Sequence, residues 1–289
     1  MFSILSRKDL DELKALIDRA GAAILDVYNR AGGEFSVELK EDLTPLTQAD
    51  RASNSIITAG LQRLFPGIPI ISEESREIPY EVRRNFEFCW LLDPLDGTKE
   101  FLQRNGEFTI NLALIHHGQP VAGFISVPCK RLLYYAVKGE GAYRIESESP
   151  DFCRANRQEE ASGLALNKIS SAQAVRLQAA VFSIDQPGLR VLASRSHFDE
   201  QTRAFIETLN QPVLTNCGSS LKFMMLAEGT AHLYPRLGRT MEWDTAAGQA
   251  ILEEAGGQVL EFFSRRPLAY NKESLENPPF IATARLKCE

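Results

Sequence analysis

The sequence predicts a mixed α/β protein with an N-terminal α+β half and a C-terminal α/β half. Three observations carry this prediction: helical periodicity near the N-terminus, four strand-like runs beginning at Phe108, and alternating strand-like and helix-like segments after about residue 180. We assign the halves to residues 1–145 and 181–289. The polar stretch 146–180 between them is predicted to be an insertion or mobile loop with room for one short helix. We expect a cleft between the halves.

Periodic apolar residues predict the helices of the first half. Apolar side chains recur at steps of three and four over 8–30 and again over 50–64, which is typical of amphipathic helices. Short apolar runs at 68–71 and 88–93 predict buried strands. We expect Pro94 to end the second strand, because proline has no N–H to donate to a strand ladder.

The strand-like runs after Phe108 predict an antiparallel meander. Four such runs lie within 108–145 and are separated by short Gly- or Pro-containing turns. Strands without intervening helices argue against a purely parallel doubly wound sheet. In the second half, helices are predicted near 198–208, 219–228 and 243–255, and the last one ends at a glycine pair.

The charge balance excludes one class of partner and suggests another. The 289-residue chain has a net charge of −6 and no run of Lys and Arg, so we do not expect it to bind a nucleic-acid polymer. An acidic enzyme that handles an anionic substrate needs something local to cancel the repulsion. Bound cations are therefore expected.

Cysteine usage and the N-terminus bear on location. The five cysteines are scattered without C-x-x-C spacing, which favours reduced thiols over a zinc site or a disulfide framework. The N-terminal residues lack the apolar core of a signal peptide, and no stretch approaches the roughly 20 apolar residues of a membrane span. We expect a cytoplasmic protein, with peripheral association at the cytoplasmic face of the inner membrane left open.

Four acidic segments stand where a predicted strand ends or a predicted helix begins. They are Thr47-Gln48-Ala49-Asp50, Ser72-Glu73-Glu74-Ser75, Asp93-Pro94-Leu95-Asp96-Gly97-Thr98 and Trp243-Asp244-Thr245-Ala246-Ala247-Gly248.

The third segment is the most informative. An apolar strand delivers Asp93 to its end, and Asp96 follows closely enough to reach the same point in space. Gly97 permits close approach of the backbone to a ligand, and Thr98 supplies a hydroxyl. Two carboxylates this close repel each other unless one keeps its proton or a cation lies between them. Hard oxygen donors suit Mg²⁺, which meets its substrates through phosphate oxygens.

Each segment also has a purely structural interpretation. Asp93 or Asp96 fits an Asx turn, Asp244 fits a helix cap, and Glu73 and Glu74 fit the first turn of a helix. Asp50 likewise fits a helix start. Capping explains each segment taken alone, but it does not explain why all four occur together in this order.

The ordered set T-x-A-D, S-E-E, D-P-L-D-G-T and W-D-x-A-A-G resembles the inositol monophosphatase superfamily of lithium-sensitive, Mg²⁺-dependent phosphatases. The longer segments are similar to its branch of bacterial 3'(2'),5'-bisphosphate nucleotidases. These segments are DPLDGTKEFLQRNGEFTINLALIHHG, SRSH, GSSLKF, LYPR and NPPF. The likeness covers nearly the whole chain except 146–180, which is longer than expected for that branch.

The resemblance implies a fold of alternating α/β/α/β/α layers and two Mg²⁺ ions per active site, with room for a third. The residues it assigns to the first ion are Glu73, Asp93 and the carbonyl of Leu95. Those it assigns to the second are Asp93, Asp96 and Asp244. Glu73 and Glu74 are implied to assist a weaker third ion.

The resemblance also implies catalytic and substrate-binding roles. Asp50 and Thr98, with Glu73, are implied to orient or deprotonate the attacking water, and the N–H groups of Gly97 and Thr98 are implied to grip the phosphate. The full set of implied substrate contacts is Glu73, Leu95, Asp96, Gly97, Thr98, Ser196, His197, Gly218, Ser219, Lys222 and Asp244. Ser219 also fits a plain N-cap, Lys222 a solvated charge and His197 a surface histidine.

The activity implied by the resemblance is release of the 3'-phosphate of 3'-phosphoadenosine 5'-phosphate, and of its 5'-phosphosulfate analogue, in sulfur metabolism. Three alternatives stay open: an inositol or sugar phosphatase, a haloacid-dehalogenase-type phosphatase, and a nucleotide-binding sensor without activity. The sequence leaves monomer and homodimer open, and it assigns no role to His116 and His117, which are expected to end a strand at a turn.

Overall fold

The computed structural model describes residues 4–30, 37–39, 45–146, 174–194 and 199–287. The helices of these ranges are α1 Arg7–Tyr28, α2 Gln48–Leu64, α3 Tyr80–Arg83, α4 Thr98–Leu102, α5 Glu200–Glu207, α6 Leu221–Ala227 and α7 Glu242–Glu254. The strands of the first half are β1 Val37–Leu39, β2 Pro45–Thr47, β3 Ile70–Ser72, β4 Phe88–Asp96, β5 Thr109–His116, β6 Gln119–Val127, β7 Leu132–Val137 and β8 Gly141–Glu146. The remaining strands are β9 Val175–Arg176, β10 Val181–Phe182, β11 Arg190–Ser194, β12 Val213–Cys217, β13 Leu233–Arg236, β14 Gln258–Glu261, β15 Phe280–Thr283 and β16 Arg285–Leu286.

Two large sheets and three sets of helices form five layers. Helices α1 and α2 pack on one face of a seven-stranded sheet, and α6 and α7 lie between its other face and a five-stranded sheet. Helix α5 contacts strand β13 of the five-stranded sheet. The predicted mixed α/β class and the α/β/α/β/α layering are confirmed.

The seven-stranded sheet has the order β3-β4-β5-β6-β7-β8-β9. All neighbours in it are antiparallel except β3 and β4, which run parallel. The four-strand meander predicted after Phe108 is confirmed as β5 to β8. Because nearly every residue of β4 and β5 is buried, this sheet forms the centre of the molecule.

The side chains of β4 alternate between two cores. Trp90 and Leu92 belong to the core under α1 and α2, whereas Cys89 and Leu91 belong to the core shared with the five-stranded sheet. This alternation follows from the two-residue side-chain period of a strand. The nine-residue strand β4 therefore contributes apolar side chains to the cores on both faces of the seven-stranded sheet.

The prediction that Pro94 ends this strand is wrong. Strand β4 continues to Asp96, and its register against β5 shifts between the Asp93–Asn111 and Asp96–Thr109 pairs. At this bulge, Pro94 and Leu95 of β4 lie opposite the single residue Ile110 of β5. Pro94 therefore lies where no N–H is required for a ladder hydrogen bond.

The five-stranded sheet has the order β12-β11-β13-β15-β14 and is mixed. Strand β11 runs parallel to β12 and β13, whereas β15 runs antiparallel to β13 and β14. The strand-helix alternation predicted after residue 180 is confirmed. Helix α7 ends before Gly256, whose φ of 94° is the left-handed conformation expected after a helix C-terminus.

Most of the predicted insertion 146–180 lies outside the described residues. Its last part, from residue 174, is described and belongs to the seven-stranded sheet, since β9 pairs antiparallel with β8. Leu177 and Ala179 after it are buried. The division into residues 1–145 and 181–289 stays a prediction.

Among the described residues, no helix combines the length and apolar character needed to cross a bilayer.

Candidate active site

A cleft of about 590 Å³ brings together most of the site residues predicted from the sequence. The predicted residues that line it are Glu73, Asp93, Leu95, Asp96, Gly97, Thr98, Ser219, Lys222 and Asp244. Asp50, Glu74 and Gly218 do not line this cleft. Ser196 and His197 lie outside the described residues.

The bulge of β4 positions the central carboxylate. Asp93 is buried, and its Oδ1 accepts a hydrogen bond from the N–H of Leu95 at 3.0 Å. The hydroxyl of Ser53 on α2 donates to the carbonyl of Pro94 at 2.7 Å, which fixes the bulge from behind. The bulge thus places Asp93, Leu95 and Asp96 on the wall of one cleft.

A chain of hydrogen bonds across three elements orients Asp96. The side-chain amide of Asn111 on β5 donates to Ser220 Oγ at 2.8 Å. Ser220 Oγ in turn lies 2.8 Å from Asp96 Oδ2 and donates to it. Ser220 precedes α6, so this chain links β4, β5 and the segment before α6 at the site.

Asp244 caps a helix and lines the cleft at the same time. It is the third residue of α7, and its Oδ2 accepts the N–H of Met241 at 2.8 Å. Glu242, the first residue of α7, is fully buried and accepts hydrogen bonds from the N–H groups of Asn271 and Lys272 at 2.6 and 3.1 Å. Glu242 therefore anchors the start of α7 and with it the position of Asp244.

Glu73 reaches the cleft from the end of β3. Its N–H donates to the carbonyl of Leu92 at 3.1 Å, which ties it to the neighbouring strand β4. Ser72 beside it donates to Asn54 Oδ1 on α2 at 2.7 Å. Glu74 lies next to this turn but not on the cleft wall, and its N–H faces Ser72 Oγ at 3.3 Å.

Asp50 has the geometry of a capping residue. As the third residue of α2, it accepts hydrogen bonds from Thr47 N–H at 2.8 Å and from Thr47 Oγ1 at 2.5 Å. Burial raises the pKa of Asp50, and repulsion from Glu73 adds to the rise. Asp50 is thus electrostatically coupled to Glu73, although it does not line the cleft.

The carboxylates of the cleft repel one another. Burial, followed by the charges of Glu73, Asp96 and Asp244, raises the pKa of Asp93 well above its usual range. The pKa of Asp244 is also raised, first by burial and then by Asp96 and Glu73. The protein alone therefore disfavours full ionisation of this group of acids.

This donor set fits a hard divalent cation. Carboxylate oxygens are the ligands that Mg²⁺ prefers, and the charge of a bound cation would remove the repulsion. The charge of Arg236 opposes the rise in the pKa of Asp244, but its effect is smaller than that of burial and of the neighbouring acids. The nearby Lys222 directs its ammonium at the carbonyls of Cys217 and Ser219, at 3.1 and 2.6 Å.

The interpretation of Lys222 as a solvated charge is wrong. Its side chain is buried, and burial lowers its pKa. The two carbonyl contacts show that it fastens the loop before α6. The N–H of Gly218 in this loop donates to Glu107 at 2.9 Å, and a Cβ there would meet Glu100 at 2.6 Å, so only glycine fits.

Ser219 departs from the plain N-cap that the sequence allowed. The residue before α6 is Ser220, and Ser219 has a φ of 46° in the left-handed region. Its Oγ is buried and has no hydrogen-bond partner among the described residues, although the residue lines the cleft. A buried hydroxyl without a partner is unfavourable, and a polar ligand in the cleft would satisfy it.

Several residues of the cleft have no role predicted from the sequence. Arg236 and Arg239 bring positive charge to the lining of the cleft, and Tyr234 and Trp243 bring aromatic surface. Arg236 Nη2 donates to the carbonyl of Arg239 at 2.9 Å. The LYPR segment was the sequence signal that could have indicated Arg236. This segment ends a predicted strand, and the parallel strand β11 ends at Ser194 on the same edge of the sheet.

Comparisons with known proteins identify the fold and the motif set. Residues 7–287 match the model of the inositol monophosphatase family. The chain belongs to this family. Enzymes of the inositol monophosphatase family are metal-dependent, which agrees with the oxygen-rich donor set of the cleft.

Individual members of the family differ in their similarity to this chain. The 3'(2'),5'-bisphosphate nucleotidase CysQ of Escherichia coli O157:H7 is 40% identical over 272 residues, covering 94% of this chain and 98% of that protein. The crystal structure of CysQ from Bacteroides thetaiotaomicron is 38% identical, with a TM-score of 0.77, and the match covers 96% of this chain and 97% of that one. Inositol monophosphatase II from Staphylococcus aureus MSSA476 shares the fold at 23% identity and a TM-score of 0.69, with coverage of 94% and 87%.

Proposed function

We propose that this chain is a magnesium-dependent 3'(2'),5'-bisphosphate nucleotidase that releases the 3'-phosphate of 3'-phosphoadenosine 5'-phosphate. The observation that carries the proposal is the convergence of Glu73, Asp93, Asp96 and Asp244 on one cleft whose lining also includes cationic and aromatic side chains. The high identity to proteins named as such nucleotidases supports the same substrate class.

In this proposal the acids of the cleft hold two Mg²⁺ ions. Glu73, Asp93 and the Leu95 carbonyl would hold one, and Asp93, Asp96 and Asp244 the other. Glu74 with Glu73 would assist a weaker third. Bound Mg²⁺ supplies charge neutralisation for the phosphate oxygens and lowers the pKa of a coordinated water.

The protein groups position the water and the phosphate. Thr98 and Glu73 orient and deprotonate the attacking water. Asp50, which does not line the cleft, acts through its electrostatic coupling to Glu73, and Thr47 holds the Asp50 carboxylate with two hydrogen bonds. The N–H groups of Gly97 and Thr98 bind the phosphate that leaves. Gly97 has a φ of 89°, and a Cβ there would approach the Glu107 carbonyl to 3.2 Å, so the close backbone approach depends on glycine.

The cationic and aromatic residues of the cleft lining would bind the rest of the substrate. Arg236 and Arg239 line the cleft and would bind the second phosphate. A planar guanidinium group can donate two parallel hydrogen bonds to two oxygens of one phosphate. Ser219 offers its unpartnered hydroxyl, and Lys222 and Gly218 hold the loop that carries it. Tyr234 and Trp243 supply surface for an adenine ring. Ser196 and His197 are proposed as further contacts on the motif resemblance alone.

The alternatives are less well supported. A haloacid-dehalogenase-type mechanism uses aspartates two residues apart, whereas Asp93 and Asp96 are three apart and lead into an antiparallel meander. A sensor without activity would be favoured by loss of a ligand acid, but all four acids are present. An inositol or sugar phosphatase would use the same acids, and only the substrate can separate it from the proposed nucleotidase. Cytoplasmic location and a monomeric or dimeric state stay predictions.

A substrate panel tests the proposal. Phosphate release would be measured from 3'-phosphoadenosine 5'-phosphate, its 5'-phosphosulfate analogue, inositol 1-phosphate and fructose 1,6-bisphosphate, with Mg²⁺ and with EDTA. We expect the first to be hydrolysed fastest at its 3'-phosphate, with inhibition by Li⁺ and no release in EDTA. The fastest rate on inositol 1-phosphate would contradict the substrate assignment, and no release from any substrate would favour the sensor.

Arginine variants test the assignment of the second phosphate. Arg239→Gln should raise KM for the bisphosphate about tenfold, since a charge-assisted hydrogen bond is worth about 1.5–3 kcal/mol. Arg203→Gln, on the exposed surface of α5, is the matched control and should leave KM unchanged. Equal KM values in the two variants would remove Arg239 from the substrate site.

A further inference from the structure

A second group of metal-ligand side chains lies at the opposite end of β4 from the catalytic acids. Glu87 directly precedes this strand, and His116 and His117 lie at the end of the facing strand β5. The first residue of β4, Phe88, pairs with His116, whereas Asp93 pairs with Asn111 near the other end. At roughly 3.4 Å per residue, Phe88 and Asp93 are about 17 Å apart along the strand, so the group is separate from the cleft.

His117 lies in the tight turn between β5 and β6. His116 pairs with Gln119, so His117 and Gly118 form a two-residue hairpin loop. Their φ angles are 46° and 73°, which is the type I' conformation that Asn-Gly normally occupies. Histidine is one of the few non-glycine residues that this left-handed conformation accommodates well, so the turn holds His117 at the tip of the hairpin without large strain.

The three side chains converge. One ligand atom from each of Glu87, His116 and His117 can be chosen so that all lie within 4.8 Å of one another. Glu87 Oε1 is 3.6 Å from His116 Nε2, and the imidazole ring centroids of His116 and His117 are 4.3 Å apart. In a tetrahedral zinc site, bonds of about 2.0–2.1 Å place neighbouring ligand atoms roughly 3.3 Å apart. Rotation of the exposed Glu87 and His117 side chains about the partly buried His116 ring would bring the three atoms to that distance.

Two further contacts hold the arrangement. The N–H of His117 donates to the carbonyl of Glu87 at 3.0 Å, which fastens the hairpin loop to the residue before β4. Phe88 stacks on the His116 ring with centroids 4.3 Å apart and planes 19° from parallel. The backbone and one ring are thus ordered before any ion binds, which lowers the entropy lost on binding.

We propose that Glu87, His116 and His117 bind a divalent transition-metal ion of the Zn²⁺ class, with water completing the coordination. Two imidazole nitrogens and one carboxylate oxygen are the donors that zinc, nickel and copper prefer, whereas Mg²⁺ prefers oxygen alone. The ion joins the segment before β4 to the β5–β6 hairpin and takes no part in phosphate hydrolysis. It is therefore independent of the proposed nucleotidase activity.

Histidine NMR spectroscopy tests the proposal directly. The chain has four histidines, so the ring-proton signals of the full-length protein can be assigned with single His→Asn variants. Zn²⁺ would be titrated in a large excess of Mg²⁺, which keeps the acidic cleft occupied. We expect the signals of His116 and His117 to shift together at one equivalent, while the signal of His232, which is buried on the five-stranded sheet, stays in place.

Matched variants separate metal binding from folding. His117→Asn suits the left-handed turn but removes a ligand, and Glu87→Gln removes the carboxylate; each should weaken Zn²⁺ binding at least tenfold. Glu207→Gln, an exposed glutamate on α5, should bind as the wild type does. The fold of each variant is checked by phosphatase activity, which should be unchanged. The proposal is overturned if Zn²⁺ leaves the His116 and His117 signals unmoved, or if His117→Asn and Glu87→Gln bind Zn²⁺ with wild-type affinity.

Discussion

At the scale of single residues, structural roles and proposed functional roles coincide in this site. The sequence left open whether Asp244 is a helix cap or a ligand, and the structure shows its carboxylate accepting the Met241 N–H while it lines the cleft. Asp50 also caps its helix and is coupled electrostatically to Glu73. A capping interpretation therefore does not count against a catalytic one. The capping hydrogen bonds fix the orientation of each carboxylate.

Replacement of Asp93 by asparagine should separate stability from activity. Asp93→Asn removes one buried charge from a mutually repelling group while keeping an acceptor for the Leu95 N–H. We expect the free energy of unfolding of the metal-free variant to be about 1–2 kcal/mol higher than that of the metal-free wild type. Activity should fall about a thousandfold or more, which corresponds to about 4 kcal/mol of lost transition-state stabilisation. Denaturant unfolding in EDTA and steady-state kinetics in Mg²⁺ check the two parts.

The opposite result for either part would be informative. A metal-free variant that is less stable than the wild type would show that repulsion among these acids matters less for stability than the hydrogen bonding of the Asp93 carboxylate. Activity near the wild-type level would remove Asp93 from the metal site. Asp185→Asn, a surface aspartate in the turn after β10, is the control and should change neither property.

Two neighbouring serines should respond to alanine in opposite ways. Ser219 Oγ has no partner among the described residues, so Ser219→Ala should leave the free energy of unfolding unchanged or raise it by up to about 1 kcal/mol. Ser220 Oγ links Asn111 to Asp96, so Ser220→Ala should cost about 1–3 kcal/mol and lower kcat. Ser219→Ala should instead raise KM. Chemical denaturation and kinetics on both variants check this, and equal losses of stability would contradict it.

At the scale of elements, the sequence predicted periodic segments well and the bulge of β4 poorly. The long helices α1, α2 and α7 and the meander strands follow from apolar periodicity, which depends only on neighbouring residues. The error at Pro94 arose because a missing N–H ends a regular ladder, but the register shift between Asp93 and Asp96 removes the need for that N–H. Such a register shift depends on how β4 pairs with β5, so it could not be predicted from the sequence of β4 alone.

The pairing of β11 with β13 should make stability depend on pH. His232, immediately before β13, is buried, and its Nδ1 accepts the N–H of Arg190 at 2.9 Å. Burial, and secondarily the Arg190 charge, lower the pKa of His232 below its usual 6.5. Below that value the unfolded chain takes up a proton that the folded protein resists. The free energy of unfolding should therefore fall as pH drops from 6.5 to the lower folded-state pKa.

The size of this effect is bounded at about 1.4 kcal/mol per pH unit within the window. Denaturant unfolding of the wild type and of His232→Asn, from about pH 7.5 to about pH 5.5, measures the difference in slope. Asparagine keeps an acceptor for Arg190 but does not titrate, so the variant should lose this part of the pH dependence. Parallel profiles for the two proteins would show that His232 is not responsible.

At the scale of the whole molecule, the site comes from segments far apart in sequence. Of the acids in the motif set, Glu73, Asp93, Asp96 and Asp244 line one cleft, because β3, β4 and α7 end or begin at the same edge of the seven-stranded sheet, whereas Asp50 and Glu74 do not line it. The contribution of Tyr234, Arg236, Arg239 and Trp243 to the cleft was not predicted. Arg236 and Trp243 belong to segments that carried the family resemblance, but their place in the cleft depends on how the two sheets pack, which those segments alone do not specify.

Magnesium should stabilise the whole fold through these acids. A ligand that binds only the folded state adds about 2.7 kcal/mol at a hundredfold excess over its Kd. We therefore expect Mg²⁺ to raise the Tm of the wild type by several degrees and to leave that of Asp93→Asn nearly unchanged. Calorimetric scans with Mg²⁺ and with EDTA check this. An equal rise in both proteins would assign the stabilisation to Mg²⁺ bound elsewhere.

The central claim is that Glu73, Asp93, Asp96 and Asp244 share divalent cations in one cleft. An anomalous difference map from crystals grown with Mn²⁺ in place of Mg²⁺ tests it most directly. We predict at least two peaks, with Asp93 within bonding distance of both. A map without peaks between these four carboxylates, from crystals of an enzyme that is active in the same Mn²⁺ solution, would contradict the account.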